Sequence, residues 1–171
     1  MTATPELLAH DEASGRNLFF LHVPRPEALM ALPEAIGRFV CLLVWDAAAE
    51  GVDVVSRIAE QLIASGCVYL CAWGTGCERV HDIFDEVIVG DGTQDVCADA
   101  PLVLTTWHYR ESLDSATWFF LRSAFPEERV RAECRSSIAI VIGSDDERAA
   151  AVRRALSNPV EFSRRVGEDQ E

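Results

Sequence analysis

CVYLCAWGTGCERVHDIFDE, residues Cys67 to Glu86, passes from a short apolar segment through a glycine-flanked turn into a segment of helical period. Cys67 to Trp73 reads as a buried strand. Beyond the turn, Cys77, Val80, Ile83 and Phe84 recur at intervals of three and four and form one apolar stripe. Glu78, Asp82 and Glu86 fall on the wet side of that helix. Thr75 and Glu78 have the T-x-x-E spacing of a capping box, in which Thr75 would cap the first N–H groups and Glu78 would reach back. A strand followed at once by a helix is the repeating unit of a parallel α/β sheet. In such sheets, polar groups just past a strand's carboxyl end face the crevice where ligands bind.

The same unit recurs on both sides of this stretch. Toward the N-terminus, Asn17 to Val23 (NLFFLHV) is a strand closed by Pro24. The connection after it has helical character over Glu27 to Ile36, interrupted by Pro33. Phe39 to Trp45 (FVCLLVW) reads as a buried central strand ending at Asp46, and Val52, Val55, Ala59, Leu62 and Ile63 mark the next helix, closed by Gly66. Toward the C-terminus, Val87 to Val89 reads as a brief strand before a turn at Gly90 to Thr93, and Leu102 to Trp107 as a further strand. Ser112 or Asp114 caps a helix over Leu113 to Phe125, ended by Pro126. Its run ATWFFL implies burial on more than one side or a homodimer contact through this 113–125 helix. Ile138 to Ile142 is the last strand. Ser144 or Asp145 then starts a final helix that runs to about Ser157, before Pro159.

Strand then helix, repeated four times over uninterrupted apolar strands, predicts one α/β domain spanning residues 1–171. The expected architecture is a three-layer sandwich with a mostly parallel sheet, Rossmann-like or flavodoxin-like, with polar ends at about 1–15 and 166–171. The longest apolar runs are far short of the ~20 residues a membrane span needs, and residues 1–16 lack the basic and apolar regions of a secretory signal. A cytoplasmic location without membrane association follows as the expectation.

The 171 residues carry 28 Asp and Glu against 15 basic residues, a formal net charge of −13. That field repels phosphate backbones and argues against nucleic-acid binding, whereas it favours a basic partner or a cationic ligand. All fifteen basic residues are arginine. The absence of lysine removes a lysine nucleophile, a Schiff base and a P-loop lysine from consideration. Of six cysteines, Cys41, Cys67 and Cys71 lie inside apolar segments, where cysteine behaves as a small buried hydrophobe. A disulfide framework is not expected of a cytosolic domain this size.

If the central strands are parallel neighbours, Asp46, Trp73, Gly74, Trp107 and His108 share one rim, with Gly76, Cys77, His81 and Glu111 just beyond. Nucleophilic catalysis there would pair Cys77, near a helix N-terminus, with His108 as general base and Asp46 or Glu111 orienting it. Against this, Cys77 also lies on the apolar stripe with Val80 and Phe84, where an inert thiol is expected. Cys77 and His81, one turn apart, with His108 as a third group, have some of the spacing of a zinc site, but no CxxC or HExxH accompanies them. No metal or other cofactor is called for. The turn Trp73–Gly76 could cradle a phosphate with help from Arg79, yet a tight turn that needs glycine is the better explanation. A carboxylate pair could be drawn from Asp46, Glu78, Asp82 and Glu111, and an aromatic pocket from Trp73, Trp107 and Trp118.

The blocks CAWGTGCERVHDIFDE and LTTWHYRESLDSATWFFLRSAFP, about a quarter of the chain, resemble a bacterial domain family of unknown function. The resemblance implies a stand-alone bacterial cytosolic protein and transfers no catalytic residue. Two functions are therefore expected. One is an acidic module that binds a protein with a basic surface, as an immunity-type inhibitor or accessory subunit of a basic effector. The alternative is a small-molecule hydrolase or glycosyl-bond enzyme using the Cys77, His108 and Asp46 rim, with Trp73, Gly74, Gly76, His81, Trp107 and Glu111 binding the ligand.

Overall fold

The computed structural model describes residues 3–90 and 100–169. Six strands form one sheet in the order β1-β2-β6-β3-β4-β5, comprising β1 (Glu6–Asp11), β2 (Arg16–Val23), β3 (Arg38–Trp45), β4 (Cys67–Trp73), β5 (Leu104–Trp107) and β6 (Cys134–Ile142). Only β1 runs antiparallel, against β2, while every other neighbouring pair is parallel. The helices are α1 (Val52–Ala64), α2 (Cys77–Val89), α3 (Leu113–Arg122), the single turn α4 (Glu128–Arg131), α5 (Asp146–Ser157) and α6 (Pro159–Glu168). The expected α/β fold with a mostly parallel sheet is what the chain adopts.

Side chains alternate between two cores along each central strand, as the period of two requires. On β3, Cys41, Leu43 and Trp45 join α1 and α2 in one core, and Val40, Leu42 and Val44 join α3, α5 and α6 in the other. Burial on both faces is why β3, β4 and β6 read as continuous apolar runs rather than alternating ones.

Several local expectations are corrected. Residues 1–15 are not merely a polar end, because Glu6–Asp11 forms β1, a hairpin partner of β2 closed through Gly15 at φ 70°. Its sequence, ELLAHD, lacks a clear alternation and pairs through a register shift between Leu7 and Ala9. The C-terminal end is likewise structured. Pro159 ends no structure but occupies the first turn of α6, where a missing N–H costs nothing, and Val166 is buried in the core. Residues 87–89 continue α2 instead of forming a strand, since Val87 extends the stripe of Val80, Ile83 and Phe84 against the core. Glu27 to Ile36 holds two 3-10 turns, Pro26–Ala28 and Glu34–Ile36. The expected strand at 102–107 shortens to Leu104–Trp107 and the helix at 113–125 to Leu113–Arg122. Beyond Gly90, which follows α2, the turn to Thr93 lies outside the described residues, as does Cys97.

The two-sided burial of α3 is met within the chain. One side packs on the sheet through Phe120 and Leu121, and α6 covers another. Arg122 fixes that contact. Its guanidinium donates to both oxygens of the buried Asp11 carboxylate at 3.0 and 2.8 Å, to Ser163 Oγ and to the Pro159 carbonyl, joining β1, α3 and α6. Burial opposes the charge on Asp11, but bonds from Ser14 and Arg122 outweigh it and hold the carboxyl below its usual pKa. No described helix is long and apolar enough to cross a membrane.

Candidate functional site

The strand order creates the site. The chain leaves β3 toward α1, on one face of the sheet, and leaves the adjacent β6 toward α5, on the other. The two loops diverge and open a crevice at the carboxyl ends of β3 and β6, the position where ligands bind in open α/β sheets. A cavity of about 320 Å³ occupies it, floored by Trp45 and edged by Arg25, Asp46, Glu50, Asp145 and Arg148. A second divergence separates β4, which leads to α2, from β5, which leads to α3.

Asp46 sits between the two. Its carboxylate accepts from Arg148 Nη1 at 2.8 Å and from the Thr75 N–H at 2.9 Å. Partial burial pushes its pKa up, and those bonds more than reverse it, leaving the carboxyl below its ordinary value. Arg148 is further held by Asp145 at 3.5 Å and lies 5.0 Å from the ring centre of Trp73. From Trp73 the network continues outward. The Trp73 indole N–H donates to the Glu111 carbonyl at 2.9 Å, Glu111 Oε2 meets His108 Nδ1 at 2.9 Å, and His108 Nε2 meets Thr106 Oγ1 at 3.2 Å. The carboxylate that orients His108 is thus Glu111 and not Asp46.

The capping box does not form. The residue preceding α2 is Gly76, without a side-chain cap, and Thr75 instead staples its loop to the end of β3. Its N–H bonds Asp46 and its carbonyl accepts from the Ala47 N–H. Gly74 and Gly76 are required by this contact, with φ of 126° and 81°. A Cβ on Gly74 would overlap the Trp45 carbonyl, and one on Gly76 would crowd the Ala48 backbone. Their role here is close packing of two loops.

The backbone N–H of His108 lies beside the Cys77 thiol, but the two side chains take different faces of the sheet. Cys77 is 1% exposed and belongs to the core beneath α1 and α2, while the His108 ring stacks on Phe119 of α3, centroids 4.7 Å apart, on the opposite face. Burial pushes the Cys77 thiol upward against the lowering from nearby backbone N–H groups, so the helix N-terminus does not yield a thiolate. His81 points away from Cys77, to Asp82 at 3.0 Å and Asp85 at 3.4 Å, and stacks on Trp107 at 4.4 Å. The set Cys77, His81 and His108 therefore does not converge on one point, and the described residues hold no group of three potential metal ligands. The three tryptophans also separate: Trp73 lies on the rim, Trp107 against α2, and Trp118 beside Gly167 of α6. Glu78 and Asp82 lie on the outer side of α2, so no carboxylate pair is assembled with Asp46 or Glu111.

Sequence reasoning missed Arg25, Glu50 and Arg148. The Pro24-Arg25-Pro26 triplet was a usable signal, since the prolines fix the backbone on both sides of one charge. Arg148 became part of the rim only because β6 inserts between β2 and β3, which no local pattern announces.

A model of the domain family described as a domain of unknown function (DUF7684) matches residues 18–159, and the chain belongs to that family. No curated protein and no solved structure matches it.

Proposed function

We propose that this chain is a non-enzymatic, acidic α/β module of the bacterial cytoplasm that binds a protein partner with a basic surface, as an inhibitor or accessory subunit of a basic effector. The observation that carries the reading is the unequal charge of the two flanks of the sheet. Helices α1 and α2 together carry six carboxylates (Asp53, Glu60, Glu78, Asp82, Asp85 and Glu86) against two arginines. Neither arginine neutralises them among the described residues: Arg57 faces Glu27 at 3.9 Å and Arg79 donates to the Ala47 carbonyl. On the other flank, α5 and α6 carry four carboxylates and five arginines, and Arg148, Arg153, Arg164 and Arg165 are all ion-paired.

Beside the acidic helix, Trp107 is 45% exposed at the end of β5, the last strand in the sheet's order. An exposed aromatic beside carboxylates that no arginine matches is the composition of an interface anchor within a steering field. The burial of Cys77 and the packing of the His108 ring against Phe119 favour the binding module over the enzymatic alternative.

The absence of lysine makes a clean test. A zero-length carbodiimide joins carboxylates to amines, so apart from the terminal amine this chain supplies only carboxylates. After affinity capture from bacterial lysate at low salt, cross-links to partner lysines should map to Glu78, Asp82 and Glu86. Cross-links confined to α5 and α6, or capture that is insensitive to salt, would refute the proposal.

A further inference from the structure

We infer that the crevice between β3 and β6 is a binding site for a small zwitterion of the apolar amino-acid class. The inference rests on two opposite charges that line one cavity without meeting. Arg25 and Glu50 both edge the crevice, yet neither has an ion-pair partner among the described residues. Arg148, in the same crevice, is by contrast claimed by both Asp46 and Asp145.

Arg25 is exposed at the edge of the crevice. Pro24 and Pro26 flank it, and its backbone is extended at φ −158° and ψ 158°, as a residue before proline prefers. The planar donors of its guanidinium suit a carboxylate. On the same cavity Glu50 is uncompensated, and the trio of Asp46, Asp145 and Arg148 has a net charge of −1. These groups suit an ammonium. A ligand bearing both charges satisfies both walls, whereas an anion alone would face the carboxylates and a cation alone would leave Arg25 unmet.

The floor supplies the rest. Trp45, Ile142 and Pro26 are buried and apolar, and about 320 Å³ has room for an aliphatic side chain attached to the charged head. The site lies where loop divergence opens an α/β sheet, and its residues are distinct from the acidic outer side of α2.

Isothermal titration with L-valine, L-leucine, L-isoleucine and L-methionine tests this, with N-acetyl-L-leucine and 3-methylbutylamine as the anion-only and cation-only analogues of leucine. At least one amino acid should bind with a Kd tighter than about 1 mM. If it is leucine, each analogue should be weaker by about tenfold or more, the effect of losing one charged hydrogen bond. Arg25→Ala and Glu50→Ala should each weaken the bound amino acid by a similar factor. Neither side chain is part of a hydrogen bond or ion pair among the described residues, so circular dichroism and thermal midpoint should be unchanged. Failure of all four amino acids to bind at about 10 mM, an analogue binding as tightly as leucine, or binding unaffected by both substitutions would overturn the assignment.

Discussion

The flank formed by α5 and α6 and the flank formed by α1 and α2 pack on the same sheet with the same kinds of apolar stripe, yet treat charge in opposite ways. On the first, arginines cross between elements and end on carboxylates of β1, the loop after β3, and α3. The Arg122–Asp11 pair at 2.8 Å lies under it, its carboxylate fully buried. On the second, Glu78, Asp82 and Glu86 of α2 stand at intervals of four, and Arg79 beside them is turned to the Ala47 carbonyl. The net charge of −13 is thus not a uniform coat. One flank spends its charge on holding the fold together, and the other leaves it outside the fold, at some cost in self-repulsion. A surface whose charge is little used in ion pairs with arginine is available to a partner.

The largest effect should come from breaking the matched side. Arg122→Ala strands the buried Asp11 carboxylate and should cost about 3–5 kcal/mol, read by denaturant titration. A loss below about 1 kcal/mol would mean that water reaches Asp11 and that the flanks differ less than the geometry implies.

Acid should expose the same pair. The folded pKa of Asp11 lies below its ordinary 3.8, so its stabilisation is complete above that value and disappears as pH falls toward and through the folded pKa. In equilibrium unfolding at stepped pH, the wild type should lose stability over this window, and Arg122→Ala should show the shallower dependence. Equal slopes would indicate that Arg122 is not what depresses Asp11.

At the rim, Arg148 and Asp46 are also 2.8 Å apart but partly exposed, and Arg148→Ala should cost no more than about 1 kcal/mol. Smallest of all should be the response of the acidic side. Combining Glu78→Gln, Asp82→Asn and Glu86→Gln should leave stability within a few tenths of a kcal/mol of the wild type, or raise it slightly by removing like charges one turn apart. A marked loss would show that these carboxylates have an internal role.

How much of this was legible follows from where the information lies. The strands β3, β4 and β6 announced themselves because burial on both faces demands uninterrupted apolar runs, and α1 and α2 because one stripe recurs at helical spacing. The caps could be narrowed to Ser112 or Asp114 and to Ser144 or Asp145 because capping is a local event, and Ser112 and Asp145 are the side chains that bond the N–H three residues on. Hairpin partner β1 was hidden because its pairing with β2, not its own composition, makes it a strand. Thr75 misled because T-x-x-E is also what a loop stapled to a neighbouring strand looks like. The rim residues Asp46, Trp73, His108 and Glu111 were located correctly at strand ends, but which of them touch depends on strand order and on the face each side chain takes. That is why His108 met Glu111 and Phe119 instead of Cys77, and why Arg25, Glu50 and Arg148 went unnoticed.

The central claim is that the carboxylates of α2, which no arginine matches, recruit a basic protein. The most direct measurement is the association rate of the captured partner with the wild type and with the Glu78→Gln, Asp82→Asn, Glu86→Gln protein, across rising salt. The wild type should associate about tenfold faster or more at low salt, with the two rates converging as salt is raised. Equal rates at every ionic strength would contradict the account.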